Sequence, residues 1–201
     1  MQPVGMSRMP RTQESRRDAT RAALMAAARR LFVQRGYAGT GTPELVANAA
    51  VTRGALYHHF KDKSELLMAV AVEMANEVAA AVAASAPPGT PPLKALQTGS
   101  HAYFKAMAEG GRARVLLVDA PAVLMPAQLD QLSQSAGASQ LRHGLKACLR
   151  PGRKLPLDEL TQLLSAAFDR AALALAQGDD PGKWIRAMDL LLKALAAEVA
   201  L

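Results

Sequence analysis

Thr40 to Lys63, TGTPELVANAAVTRGALYHHFKDK, reads as two short helices joined at a tight corner. Thr42 is placed as an N-cap, with Pro43 at the first helical position, where a missing N–H costs nothing. Leu45, Val46 and Ala49 give this helix one apolar side. Ala49-Ala50-Val51 forms the corner, Thr52 is the next N-cap, and Arg53 to Phe60 makes the second helix. Leu56 and Phe60 lie four apart and face one way, into a core. Arg53, Tyr57, His58, His59 and Lys61 are left to point elsewhere. A short helix that presents arginine, tyrosine and histidine after a corner suits a DNA major groove.

On the N-terminal side of the corner, Leu24, Ala28, Leu31 and Phe32 form an i, i+4, i+7, i+8 stripe on a helix from about Ser15 to Arg35. Gly36 stands where a left-handed glycine ends such a helix, and Tyr37 folds back onto the stripe. Residues 1–14 read as a flexible basic tail without an apolar run of signal-peptide type. On the other side, Asp62 caps a fourth helix, with Glu65 in the capping-box position. That helix runs through Leu66, Val70, Met74, Val78 and Val82 and stops at Ser85-Ala86-Pro87-Pro88-Gly89-Thr90-Pro91-Pro92, where proline and glycine cannot continue it. A fifth helix is expected over Leu93–Ala108, ended by Gly110-Gly111. Arg112 to Val118 is a short helix or turn, broken by Asp119-Ala120-Pro121. Pro126 opens a longer helical stretch towards Leu149, interrupted near Ser135-Ala136-Gly137. Arg150 to Lys154 is a basic loop. Two strongly striped helices close the chain, one through Leu157 to Leu175 and ended by Gly178, the other through Trp184 to Val199.

Half of the 201 residues are hydrophobic but only 4% are aromatic, so the core is built from Leu, Val, Met and much Ala. Ala and Leu favour helix, and strand formers are sparse, which makes the fold all-α. Of the net charge of +7, a surplus of six falls between Met1 and Glu65, where eleven Lys and Arg face five acids. Only that third is therefore suited to a polyanion. Cys148 is the single cysteine, which rules out an intrachain disulfide and fits a reducing cytoplasm. No apolar run is read as reaching the roughly 20 residues of a membrane span.

The N-terminal third resembles the TetR (tetracycline-repressor-like) family of transcriptional regulators. The resemblance is carried by Ala27-Ala28-Arg29-Arg30-Leu31-Phe32 with Arg35-Gly36-Tyr37, by Thr42-Pro43-Glu44-Leu45-Val46, and by Gly54-Ala55-Leu56-Tyr57-His58-His59-Phe60 with Lys61, Lys63 and Leu66-Leu67. The run Arg114 to Leu124 is similar to a segment of the family's ligand domains. The family usually has glycine at the corner where Ala50 stands, and a left-handed alanine costs on the order of 1 kcal/mol, so a strained or slightly rearranged corner is expected. The resemblance implies an all-helical homodimer of about nine helices. Residues 15–62 would form the helix-turn-helix domain and residues 63–201 the ligand-binding and dimerisation domain, with the last two helices pairing between subunits.

Candidate DNA contacts are Thr40, Thr42, Pro43, Thr52, Arg53, Gly54, Ala55, Tyr57, His58, His59, Lys61 and Lys63. Arg53 is the best base reader, because a guanidinium can bond guanine O6 and N7 together. Thr42 and Thr52 join helix-end N–H groups at phosphates. Gly54 and Ala55 let the backbone approach the groove. Candidate ligand contacts are Tyr103, Phe104, Met107, Met125, Leu141, Leu145 and Phe168, although an ordinary core uses the same residues. Candidate dimer contacts are Leu160, Leu164, Phe168, Leu175, Trp184, Met188, Leu191 and Leu195. The expected partners are double-stranded operator DNA, a second copy of the chain, and a small apolar or amphipathic effector. No cofactor, metal or membrane is called for. HExxH, GxSxG, P-loop and dinucleotide patterns are missing from the sequence, so an enzyme is not expected. A ligand-responsive repressor is the leading function. The alternatives are a helical interaction module that has lost its operator, and an activator.

Overall fold

The computed structural model describes residues 13–135, 138–148 and 155–200. Ten helices follow one another among the described residues, with no strand. Four open the chain: α1 (Gln13–Arg35), α2 (Thr42–Asn48), α3 (Arg53–His59) and α4 (Lys63–Ala83). α5 (Pro92–Ala108) follows the proline loop. α6 is α-helical over Arg112–Arg114, widens to a π turn over Val115–Asp119 and returns to α over Ala120–Val123. α7 (Pro126–Ser135), α8 (Ala138–Cys148), α9 (Leu157–Ala176) and α10 (Pro181–Ala200) complete the chain.

Most element ends obey local chemistry. The Thr52 hydroxyl accepts from Ala55 N at 3.1 Å and caps α3. The Asp62 carboxylate accepts from Glu65 N at 2.8 Å and caps α4, while Glu65 reaches back to Lys61 N, one residue beyond the usual capping box. Gly36 at φ +75° and Gly178 at φ +97° take the left-handed turns that end α1 and α9. Two local readings are corrected. Gly41, not Thr42, is the N-cap of α2, so the Thr42 hydroxyl lies inside the first turn. Asp119-Ala120-Pro121 does not break α6. The Ala120 N–H bonds back to Val115 O in the π turn, and Pro121 falls in the first turn of the next α segment, where its absent N–H is not missed. The stretch expected from Pro126 is two helices, Pro126–Ser135 and Ala138–Cys148, on either side of the expected interruption, and counting them apart gives ten rather than about nine. The basic loop at 150–154 and most of the expected tail lie outside the described residues, and α1 begins at Gln13 rather than Ser15.

The interior holds two cores. Leu24, Leu31 and Phe32 of α1, Leu45 of α2, Leu56 of α3 and Leu66, Leu67 and Met74 of α4 fill the first, which continues through Val115, Ala120 and Leu132. The second is Phe104, Leu145, Leu164, Phe168, Met188 and Leu192. Between them Val78 of α4 packs with Met107, Ala113 and Ala172. Each fully buried leucine contributes about 1.5–3 kcal/mol. By length and composition α4 alone among the described helices is long and apolar enough to cross a membrane, which corrects the expectation that no such run exists. Its apolar side chains are the ones that fill the first core and the small cluster around Val78. Its acids tie neighbouring helices together: Glu77 accepts from Arg29 of α1 (2.7 Å to Nη2) and from Arg112 of α6 (2.7 Å), and Glu73 also pairs with Arg29. The bonds from Arg29, and secondarily Arg112, hold the Glu77 carboxyl at about 2, well below its ordinary 4.5. It is therefore ionised at neutral pH and bridges two guanidiniums.

The corner keeps its left-handed turn without glycine. Ala50 has φ +53° and is the one non-glycine residue with positive φ among those described. Its neighbours bond as a helix end requires, with Ala49 N to Leu45 O at 3.0 Å and Val51 N to Val46 O at 3.0 Å. A left-handed alanine stores about 1–2 kcal/mol. The Ala50→Gly variant should relieve that strain, less the extra freedom glycine gives the unfolded chain, and raise the thermal midpoint by about 1–4 °C. An unchanged or lowered midpoint in calorimetry would show that the corner holds no such strain.

Candidate nucleic-acid interface and cavity

Burying Leu56 and Phe60 fixes which side of α3 meets solvent. Thr52, Arg53, Gly54, Tyr57, His58 and Lys61 are exposed on it, with Pro43 exposed on α2. Thr42, Ala55 and His59 are half-buried. The Arg53 guanidinium lies 5.6 Å from the Tyr57 ring, one turn away, which gives the pair a common direction. The His58 and His59 rings stand 5.4 Å apart and nearly perpendicular. Burial pushes the His59 imidazole below its ordinary value, and His58, Arg17 and Arg21 add to the effect. His59 thus turns towards α1, and His58 is the outer ring of the two. Arg17 and Arg21 are absent from the expected contacts. They are exposed on α1 beside the end of α3, and the concentration of base in this third is their signal in the sequence.

Two expected contacts are corrected. Thr40 is 1% exposed, and its hydroxyl donates to Gly36 O at 2.8 Å. It braces the loop between α1 and α2 and presents nothing outward. Lys63 donates its ammonium to the carbonyls of Tyr37 and Thr40, both at 2.9 Å, and lies 3.9 Å from the Tyr37 ring centroid. Burial lowers its pKa. A lysine held by two carbonyls and a ring is a clamp rather than a phosphate contact. The same loop is held from the other side by Asp119 of α6, whose Oδ2 accepts from Tyr37 N at 3.2 Å. Arg114 packs its guanidinium against Gly36, where a Cβ would sit 2.4 Å from Nη2.

A cavity of about 570 Å³ opens beneath this arrangement, walled by α4 to α9. Of the expected ligand contacts, Tyr103, Met107, Leu141 and Phe168 line it. Phe104 and Leu145 do not, because both are buried in the second core. Met125 is 67% exposed between α6 and α7 and is also corrected. The lining that sequence reading missed includes Leu116, Leu117 and Pro121 of α6, Ser100 of α5, Gln140 of α8 and Asp169 of α9. The Tyr103 hydroxyl donates to Asp169 Oδ1 at 2.7 Å. Burial raises the Asp169 carboxyl, and the bond from Tyr103 offsets part of that rise.

On α9 and α10, Leu164, Phe168 and Met188 are buried in their own subunit's core, which removes them from any free face. Leu160, Leu175, Trp184 and Leu195 are half-buried, and Leu191 is 46% exposed. Leu163 at 69% and Leu190 at 67% are more exposed, and neither is among the expected dimer contacts.

Residues 24–70 match the family described as bacterial regulatory proteins, tetR family, and residues 93–197 match the tetracyclin repressor-like C-terminal domain. The chain is similar to the HTH-type transcriptional repressor AcnR of Corynebacterium diphtheriae, at 26% identity over 91% of this chain and 95% of that protein. A shorter match, 44% identical, joins it to the Transposon Tn10 TetC protein of Escherichia coli over 28% of this chain and 29% of that one. Among solved structures, a TetR-family transcriptional regulator from Pectobacterium atrosepticum superposes with a TM-score of 0.68 at 29% identity, covering 94% of this chain and 97% of the other.

The clamp assignment for Lys63 separates it from Lys61. Lys63→Met should lower stability by about 1–3 kcal/mol, because two backbone carbonyls lose a charged donor. Lys61→Ala, on an exposed side chain, should stay within about 0.5 kcal/mol of the parent. Equal chemical-denaturation midpoints for the two variants would return Lys63 to the outer surface.

Proposed function

The chain belongs to the TetR family of bacterial regulatory proteins and is a DNA-binding transcriptional regulator, and on that premise we propose that it is a repressor whose homodimer releases a two-half-site operator when a small molecule fills the cavity. The observation that carries this reading is the Arg53–Tyr57 face, exposed on a capped helix behind an intact corner. Arg53 reads guanine. Tyr57, His58 and Lys61 lie on phosphates, with Thr42, Pro43 and Thr52 at the helix starts, where N–H groups and the dipole favour an anion. Gly54 and Ala55 allow the close approach.

The working division is a reading domain over residues 15–62 and a ligand-binding and dimerisation domain over residues 63–201. Leu163, Leu190 and Leu191 are the exposed apolar side chains best suited to the α9–α10 pairing of two copies. The cavity speaks to the reading domain through its own walls. α6 carries Leu116 and Leu117 in the wall and Asp119 on the Tyr37 amide. α4 carries Val78 in the wall and Lys63 on the loop carbonyls. A ligand that shifts either helix shifts the base of α2 and, in the dimer, the separation of the two reading helices. Repression over activation is favoured by the name of AcnR, which is a repressor. An interaction module without DNA is disfavoured, since Ala50 accepts left-handed strain and the corner is kept. The protein acts in the cytoplasm, where its DNA lies, and performs no reaction of its own.

The test is DNA selected from the genome by the purified protein. Arg53→Ala and Tyr57→Ala should each weaken binding to the selected site by about 1–3 kcal/mol, about fivefold or more, with unfolding midpoints unchanged. Wild-type affinity in both variants would refute the assigned face.

A further inference from the structure

The cavity is lined mostly by apolar side chains, and its ionisable lining has a definite sign. Among the described residues lining it there is no lysine, arginine or histidine, and the ionisable side chains are Asp169 and Tyr103. Asp169 has the neutral Tyr103 hydroxyl as a partner at 2.7 Å and no cationic side chain in ion-pair contact among the described residues. Ser100, three residues before Tyr103, lies on the same face of α5. It is 3% exposed, and its Oγ has no hydrogen-bond partner. Gln140 holds its amide nitrogen on Ala79 O at 3.1 Å, while its buried Oε1 has no partner. Ser100 and Gln140 therefore each bring a buried acceptor oxygen without a donor to the lining that also holds Asp169.

Native interiors seldom leave buried polar atoms unpaired, because each costs about 1–3 kcal/mol. A buried carboxylate without a cation is costlier still. A ligand that donates and carries positive charge removes both costs at once. A carboxylate or phosphate ligand adds a second negative charge beside Asp169 with no base to neutralise it. The remaining wall of Leu, Val, Met and Phe suits a hydrocarbon body, and about 570 Å³ is the size of a cavity for a drug-sized molecule.

We propose that the cavity selects amphipathic organic cations, with an alkyl- or arylammonium head on Asp169, further hydrogen bonds to Ser100 and Gln140, and an apolar body against Leu116, Leu117 and Phe168. This rests on the reading of the cavity as the effector site. It names the sign and the head group of the effector, which the fold alone does not.

A matched series tests it: 4-phenylbutylamine, 4-phenylbutanol and 4-phenylbutyrate share a body and differ in head group. Calorimetric titration of the full chain at neutral pH should rank them amine, alcohol, carboxylate, with the amine about tenfold or more ahead of the alcohol, as a charge-assisted hydrogen bond implies. Asp169→Asn keeps an acceptor for Tyr103. It should remove about tenfold or more of the amine's affinity and leave the alcohol's nearly unchanged. The ranking on the wild-type chain stands whether or not the variant folds. Tighter binding of the alcohol or the carboxylate overturns the cation proposal. If that binding is also abolished by Leu117→Trp, which fills the cavity, the effector-site reading survives. An amine affinity undiminished in folded Asp169→Asn overturns the proposal as well. Absence of binding by all three at millimolar concentration counts against the proposal and the effector site together.

Discussion

The Lys63 ammonium, donating to the Tyr37 and Thr40 carbonyls, fixes where the reading corner begins. The loop between α1 and α2 has no regular ladder to satisfy it, so its polar groups need partners from elsewhere. Lys63 supplies the donor from the first turn of α4. Asp119 of α6 supplies the acceptor for the Tyr37 N–H. The Thr40 hydroxyl closes the loop onto Gly36 O. With the loop held at both ends, α2 starts at a set place, the left-handed turn at Ala50 sets the crossing, and α3 turns Arg53 and Tyr57 outward. The groups that hold the reading corner thus come from helices that also wall the cavity.

That sharing gives the molecule its logic. α4 packs into the first core and the small cluster around Val78, and carries Glu77 between Arg29 and Arg112. Packed interiors respond to a filled volume by small shifts of whole elements rather than by local yielding. The π turn in α6 places Asp119 on the α1–α2 loop while Leu116 and Leu117 remain in the cavity wall. A ligand needs only a different affinity for two positions of these helices to bias the corner. Asp169, Tyr103 and Ser100 belong to α9 and α5, whereas Lys63 and Asp119, which hold the α1–α2 loop, belong to α4 and α6, so polar lining and loop positioning use different residues.

Much of this is readable in the sequence wherever the cause is local. Thr52 and Asp62 are caps because the N–H groups they accept from lie only three residues further along the chain. Gly36 and Gly178 turn left-handed because the helices before them must end. The face of α3 comes from the four-residue spacing of Leu56 and Phe60. The strain at Ala50 is foreseen only through the resemblance, since the family usually has glycine at that corner. The features hidden from the sequence depend on distance across the fold. Lys63 looks like any lysine in a basic stretch, and only the position of the loop makes it a clamp. Tyr103 and Phe104 are adjacent on α5, and the helix turns one to the cavity and the other to the core. Leu163 and Leu164 likewise part ways on α9, one exposed and one buried. Apolar periodicity marks a broad arc and does not say which edge of it a second chain covers. Gly144 is a missed signal: a Cβ there would sit 2.4 Å from Leu96 Cδ2, so a larger residue at that point of α8 would displace the Leu96 side chain in the cavity wall.

The central claim is that two such corners read one DNA site, and footprinting of a genome-selected fragment with the full chain tests it most directly. The account predicts two protected segments on one face of the duplex, centred one helical turn of about 34–36 Å, or a multiple of it, apart. Protection should be lost steeply as salt rises, because phosphate contacts release counterions. A single unpaired segment, or no sequence enriched and protected at any salt concentration, would contradict it.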